Sequence, residues 1–206
     1  MTPETIKQAL DDLAARDPDV AAGLAQVGYP APRIREPGFG ALLDIIVGQQ
    51  VSTYAAAAIR ARLAAAVDPL TPEGFLAQPD EALRAAGLSR RKVEYGRGLA
   101  AAMAEGRLDT ARLAGMTDDE VVAALTSLRG LGRWSAEIYM LFALRRLDVW
   151  PADDLAIREA LRRLKRLEDR PARLASEALI AHWRPWRGVA ALFLWHYYKG
   201  AVAVPA

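Results

Sequence analysis

The stretch from Thr117 to Tyr139 constrains the fold most. Thr117-Asp118-Asp119-Glu120 is a capping box, a threonine at the N-cap with a glutamate three residues later. It launches a helix whose apolar positions Val121, Val122, Leu125 and Leu128 lead into Leu128-Arg129-Gly130-Leu131-Gly132. The two glycines permit positive φ and a tight reversal. Arg133-Trp134-Ser135-Ala136 then opens a second helical pattern directly. A glycine hairpin between two helices fits an all-helical chain and leaves no place here for a strand.

The remaining segments agree. Thr2-Pro3-Glu4 and Thr71-Pro72-Glu73 put a capping residue before a proline at the first helical position, and a short helix follows Asp17-Pro18-Asp19. Phe39, Leu42, Leu43, Ile46 and Val47 fall at i, i+3, i+4, i+7 and i+8, the core stripe of a helix ending at Gly48. An Ala-rich helix is predicted over about 53–65, and Gln78-Pro79-Asp80-Glu81 starts another that Gly87 stops. Ser89-Arg90-Arg91-Lys92 begins a helix to about Glu105. Further helices are predicted from Asp154 to about Arg166, over about 171–183 and over 185–199. Pro30, Pro32 and Pro37 mark 28–38 as a loop. No segment shows the period-two alternation of a sheet. The fold class is all-α.

Composition narrows the chemistry. None of the 206 residues is cysteine, which excludes disulfides, thiol catalysis and an iron–sulfur cluster. His182 and His196 are the only histidines, which argues against zinc. A net charge of +2 is not that of a polycation, so any nucleic-acid contact is a local patch. Arginine outnumbers lysine, which suits bidentate phosphate contacts but also matches GC-rich coding. There is no apolar run of the roughly 18 residues a membrane span needs. The polar N-terminus has no signal-peptide core, so a cytoplasmic protein is expected.

Three places stand out chemically. At the hairpin, backbone N–H groups cleared of side chains suit a phosphate, and carbonyls on the other side suit a monovalent cation, Na+ or K+. Arg129 and Arg133 add charge there, while an ordinary helix corner is the plain alternative. Gln49 and Gln50 beside Gly48 suit hydrogen bonding or filling a gap, or are a solvated helix end. Arg90, Arg91 and Lys92 oppose the helix dipole and read as a phosphate contact or as a solvated face.

Together, four segments resemble the helix-hairpin-helix (HhH-GPD) DNA glycosylases over about residues 38–200, and among them bacterial 3-methyladenine DNA glycosylase II. They are Ile46-Val47-Gly48-Gln49-Gln50-Val51-Ser52, the run from Leu128 to Ala136, Pro151-Ala152-Asp153-Asp154-Leu155-Ala156-Ile157, and Trp183-Arg184-Pro185-Trp186-Arg187 continuing to Leu194-Trp195-His196-Tyr197-Tyr198. The resemblance implies a single domain of two helical lobes with a cleft between them, one lobe about 39–150 and the other about 1–38 plus 151–206. The extra N-terminal β-rich domain of the bacterial enzyme is expected to be absent.

The resemblance also implies roles. Asp154, in the Asp-x-x-hydrophobic pattern, is the catalytic residue, and Asp153 is left as the helix cap. Gln49 or Gln50, with Gln50 favoured, fills the gap of a flipped base. Arg129, Gly130, Leu131, Gly132 and Arg133 hold the DNA backbone. Trp134 and Trp195 wall the base pocket, whereas Trp150, Trp183 and Trp186 are core. Trp134 stands where strand-cutting relatives carry a lysine, so the reading is monofunctional. Ile138 occupies the position of a pocket tyrosine, and Tyr139, one residue on, is its candidate replacement, although it is rotated by about 100°. The implied partner is double-stranded DNA with damaged bases, bound by a monomer that needs no cofactor. Glycosylases for deaminated, oxidised or mispaired bases and a non-catalytic DNA-binding module are the alternatives.

Overall fold

The computed structural model describes residues 1–200. Among them there is no strand, and no helix is long and apolar enough to cross a membrane. The chain divides into two compact units, one of Arg35–Leu144, the other of Met1–Ile34 with the chain from Arg145 on.

The Arg35–Leu144 unit is built around α3 (Phe39–Gly48). Phe39, Leu42, Leu43, Ile46 and Val47 are buried as the periodicity predicts, and Ala41 and Ile45 are buried as well. The helix is covered on more than one side, by α4 (Thr53–Ala66), α7 (Arg90–Ala104) and α9 (Arg133–Phe142). Short α5 (Pro72–Ala77) and α6 (Asp80–Ala85) brace α7. Close approach has a sequence cause: a Cβ on Gly96 of α7 would sit 2.7 Å from the Phe75 ring of α5. The hairpin helices are α8 (Asp118–Thr126) and α9, and both halves of the Thr117–Glu120 capping box are formed.

In the other unit α1 (Pro3–Arg16), α2 (Pro18–Val27), α10 (Leu155–Leu164) and α12 (Arg187–Gly200) pack together, with the short α11 (Arg173–Leu179) beside them. Gly23 lets α2 close on α10 and α12, since a Cβ there would lie 2.7 Å from Leu164 and 3.1 Å from Phe193. The polar centre is Asp17, 2% exposed. It caps α2 through the Asp19 and Val20 N–H groups and accepts from Lys165 Nζ at 2.7 and 2.6 Å, Trp183 Nε1 at 2.7 Å and His182 Nε2 at 3.0 Å. Burial alone would raise its carboxyl, but the donors from Lys165, Trp183 and His182 outweigh that and hold it at about 2.

Three helix ends differ from the sequence expectation, each for a local reason. α10 stops at Leu164 because Lys165 turns to Asp17 and Arg166 takes a positive φ of 52°. The segment 171–183 is not one helix: Ile180 leaves helical geometry after α11, and a single tight turn, Ala181–Trp183, follows. α12 begins at Arg187 rather than Pro185. There the Arg187 N–H donates to Asp148 Oδ1 and the Gly188 N–H to Leu147 O, so first-turn donors are satisfied from outside the helix.

Candidate active site

Asp154 is the N-cap of α10. Its Oδ1 accepts the Ile157 N–H at 2.9 Å and the Trp195 indole N–H at 3.3 Å. This corrects the division of labour read from sequence, in which Asp153 capped the helix. Asp153 lies outside the helix start, exposed, with one oxygen 4.0 Å from Arg173 Nε. The helix begins one residue later than that reading requires, because the Asp154 N–H is already engaged by Pro151 O in the preceding turn. The cap thus falls on the side chain that the sequence reading expects to do the chemistry. Trp195, half-buried on α12 and expected from sequence as an aromatic wall, is brought to Asp154 as a hydrogen-bond donor. Sequence reasoning missed this bond, since no local pattern links positions 41 residues apart.

Two of the three tryptophans read as core are core, and Trp186 is not. Trp150 and Trp183 are buried and meet edge to face at 6.3 Å. Trp186 is half-buried and donates to Asp12 Oδ2 at 2.8 Å.

In the Arg35–Leu144 unit the two hairpin glycines do different things. Gly130 has φ +95°, and a Cβ there would meet the Tyr95 side chain at 2.3 to 2.7 Å. Gly132 has an ordinary φ of −96°, and nothing lies within 4 Å of its would-be Cβ. It is the N-cap of α9 and offers no side-chain cap, which leaves the front of that helix open. Only Gly130 needs glycine for backbone reasons; Gly132 supplies clearance. Leu131 is buried beneath the turn. Arg129 pairs with Glu94, and Arg133 Nε lies 3.0 Å from Glu137 Oε1. Both arginines are exposed, but only the Arg129–Glu94 pair is exposed on both sides and so worth about 0–1 kcal/mol; Glu137 is buried, which holds Arg133 more firmly to it.

On α9, Trp134 is half-buried and Ile138 is 6% exposed. Tyr139 is wholly buried, and its hydroxyl oxygen accepts the Gly38 N–H at 3.2 Å. Burial pushes its phenol up, against the lowering effect of hydrogen bonds with Gly38 and Thr110. Tyr139 is therefore a core residue of this unit and does not replace the pocket tyrosine; the rotation along the helix turned it inward.

The two glutamines also separate. Gln49 Nε2 donates to Gly130 O at 2.8 Å and to Ser135 Oγ at 3.3 Å, so its amide is turned to the hairpin. Gln50 is exposed, with a positive φ of 56°. Of the three consecutive cations, Arg90 and Arg91 are exposed, but Lys92 Nζ donates to Val47 O and Gln49 O, each at 2.8 Å. Burial lowers the Lys92 ammonium. A further surface feature went unread: Tyr54, in the first turn of α4, is 86% exposed, with Val51 exposed beside it in sequence. A bulky aromatic opening an otherwise Ala-rich helix is the signal that marks it.

Comparison with known proteins follows the same lines. The family model described as HhH-GPD superfamily base excision DNA repair protein matches residues 43–185. DNA-3-methyladenine glycosylase 1 of Schizosaccharomyces pombe is 34% identical over 165 residues, 78% of this chain and 72% of that protein. A putative DNA-3-methyladenine glycosylase of Bacillus subtilis is 32% identical over 124 residues, 60% of this chain and 43% of that protein. Among solved structures, the S. pombe 3-methyladenine DNA glycosylase in complex with abasic DNA superposes with a TM-score of 0.83 at 30% identity, covering 91% of this chain and 95% of that one. DNA-3-methyladenine glycosidase from Bacillus halodurans gives a TM-score of 0.78 at 33% identity, covering 91% and 87%.

Proposed function

The chain belongs to the HhH-GPD superfamily of base excision DNA repair proteins, and we propose that it is a monofunctional glycosylase excising alkylated purines, of the 3-methyladenine and 7-methylguanine type, from duplex DNA. The observation that carries the catalytic assignment is the carboxylate of Asp154, fixed at a helix start by Ile157 and Trp195.

In the reaction the N-glycosidic bond breaks and its electron pair leaves with the base. Positive charge develops on the sugar, as in oxocarbenium chemistry generally. A carboxylate about 4 Å from that charge contributes up to ~4 kcal/mol at an effective dielectric near 20. At ~1.4 kcal/mol per decade this is roughly a thousandfold in rate. Water, oriented by the carboxylate, then adds to the sugar carbon and loses a proton by way of that carboxylate to solvent, giving an abasic site. Alkylated purines of this type are cationic and leave neutral, which lowers the demand on the protein. Trp134 and Trp195 each offer an electron-rich indole face, worth about 0.5–2 kcal/mol toward a cation. Ile138 adds apolar surface in place of a phenol.

DNA is held at the hairpin, where the open start of α9 presents backbone N–H groups to a phosphate, Arg129 exchanges the exposed Glu94 for it, and Arg133 adds charge while staying on Glu137. The hairpin carbonyls remain a candidate seat for Na+ or K+. Gln50, exposed at its loop tip, takes the place of the extruded base, whose flipping costs a few kcal/mol and less for a damaged base. Val51 and Tyr54 extend the same exposed face. With Trp134 in the lysine position there is no amine to form a Schiff base, so strand cutting is absent and borohydride traps no covalent complex.

The test is release of free bases from methylated DNA, with products identified, by the wild type and by Asp154→Asn. Asparagine caps a helix as well as aspartate does, so the variant keeps its melting temperature while release falls about a thousandfold. Release at the wild-type rate from Asp154→Asn would overturn the assignment of Asp154, and no release by the wild type from any lesion would favour a DNA-binding module. Products that are deaminated or oxidised bases only would move the substrate class.

A further inference from the structure

The Gln50 loop is held from two directions by groups that the glycosylase reading does not use. At its start, α3 ends with its last carbonyls pointing out of the helix, where they lack intrahelical partners. Lys92, in the first turn of α7, reaches across and donates to Val47 O and Gln49 O, each at 2.8 Å. A cation there also meets the negative end of the α3 dipole. From the other side, Gln49 Nε2 donates to Gly130 O at 2.8 Å and Ser135 Oγ at 3.3 Å, tying the loop to the hairpin. Three residues after Lys92, one turn along the same face of α7, Tyr95 packs against Gly130 so closely that no Cβ fits between them. One face of α7 thus sets the position of both the loop and the hairpin. Between these holds sits Gln50, whose left-handed φ of 56° a non-glycine residue adopts at a cost of order 1 kcal/mol and only where its surroundings impose it.

We propose that Lys92 and Gln49 are positioning residues for base extrusion: together they fix the register of the Gln50 loop on the hairpin, so that a DNA duplex seated on the hairpin meets Gln50 at the gap. This rests on the reading of Gln50 as the inserting residue and adds to it a division of roles between the two glutamines. Gln49 serves the scaffold and Gln50 serves DNA. It also removes Lys92 from the phosphate-binding surface that Arg90 and Arg91 still offer.

The experiment compares single-turnover release of 7-methylguanine from two oligonucleotide duplexes, one with the lesion paired to its complement and one with it in an unpaired bubble. Extrusion from the stack is needed only in the first. Lys92→Met keeps the apolar stem and removes the three donors, and Gln49→Leu keeps the shape and removes the amide. Each is expected to slow release from the paired duplex about tenfold or more, while release from the bubble stays within about twofold of wild type. Combining Lys92→Met with Gln50→Ala is expected to be no slower on the paired duplex than the slower single variant, because both act on one step. Equal losses on the two substrates mark a merely structural role and overturn the proposal, as does wild-type behaviour on both. Thermal melting of each variant accompanies the rates, and Gln49→Leu carries the test if Lys92→Met fails to fold. Asp154→Asn, run alongside, loses both substrates together. If it does not, the catalytic reading fails, and the paired-to-bubble ratio of the Lys92 and Gln49 variants still decides the tether.

Discussion

Asp17 in one unit and Asp44 in the other are both aspartates withdrawn from water, and they shift in opposite directions. Asp17 receives a lysine, an indole N–H, a histidine and two backbone N–H groups, and its carboxyl is held at about 2. Asp44, on α3, is raised by burial. The charges of Arg35 and Arg60 pull it back only in part, with Arg60 Nε at 3.8 Å. Burial penalises both charged forms; donors at hydrogen-bond distance decide the sign. The unit that carries Asp154 is therefore pinned on an ionised carboxylate. The unit that carries the hairpin is pinned on apolar packing and on donors to backbone carbonyls, Lys92 among them, which keep their protons as pH falls.

The sharpest way to break this comparison is Asp17→Asn. It removes the nearer carboxylate of the part-buried Lys165, which keeps Asp19 Oδ2 at 3.1 Å, and breaking such a pair costs up to about 3–5 kcal/mol. Hydrogen exchange should show the loss concentrated in α1, α2, α10 and α12; equal loss in α3 and α7 would erase the contrast. Next is Gly130→Ala, which meets both a positive φ and the Tyr95 ring and is expected to cost about 2–3 kcal/mol, now in the hairpin unit. Acid gives a third test. The Asp17 carboxyl is depressed in the fold, so its contribution is complete above the unfolded value of 3.8 and lost as pH falls toward about 2, a total of about 2 kcal/mol. Asp44 is raised, so protonation over the lower pH range relieves its burial penalty and favours its unit. Acid titration followed by site-resolved exchange should open the Asp17 unit first. The smallest effect is Gly132→Ala. With ordinary φ and open space around it, melting should move by less than about 0.5 kcal/mol. DNA affinity should fall, measurable by salt-dependent titration, because the methyl group occupies the space proposed for a phosphate.

These elements also show what a chain reveals before it folds. The caps at Thr2, Asp17, Thr71 and Thr117 were legible because capping is local chemistry, an oxygen and an N–H two or three residues apart. The hairpin and the core stripe of α3 were legible for the same reason. Resemblance singles out Asp154 for the proposed reaction, but its place as the cap was not legible, because the choice between neighbouring aspartates depends on where the preceding turn ends. Lys92 was misread within a charge run, since its partners lie 43 and 45 residues away. Tyr139 was misplaced because its inward turn is set by the phase of α9 against α3 and Gly38.

For the catalytic role proposed for Asp154, its place as the cap of α10 has a consequence for preorganisation. A catalytic carboxylate on a loose side chain must be brought into one rotamer each time the substrate arrives, which takes away part of the barrier reduction it offers. At Asp154 the bond that starts α10 has already frozen that rotamer, and the indole N–H of Trp195 holds the same oxygen. The entropy was spent once, when the chain folded, and the charge waits in place for the sugar. Fraying of the first turn of α10 would then be felt as lost turnover before it was felt as lost structure.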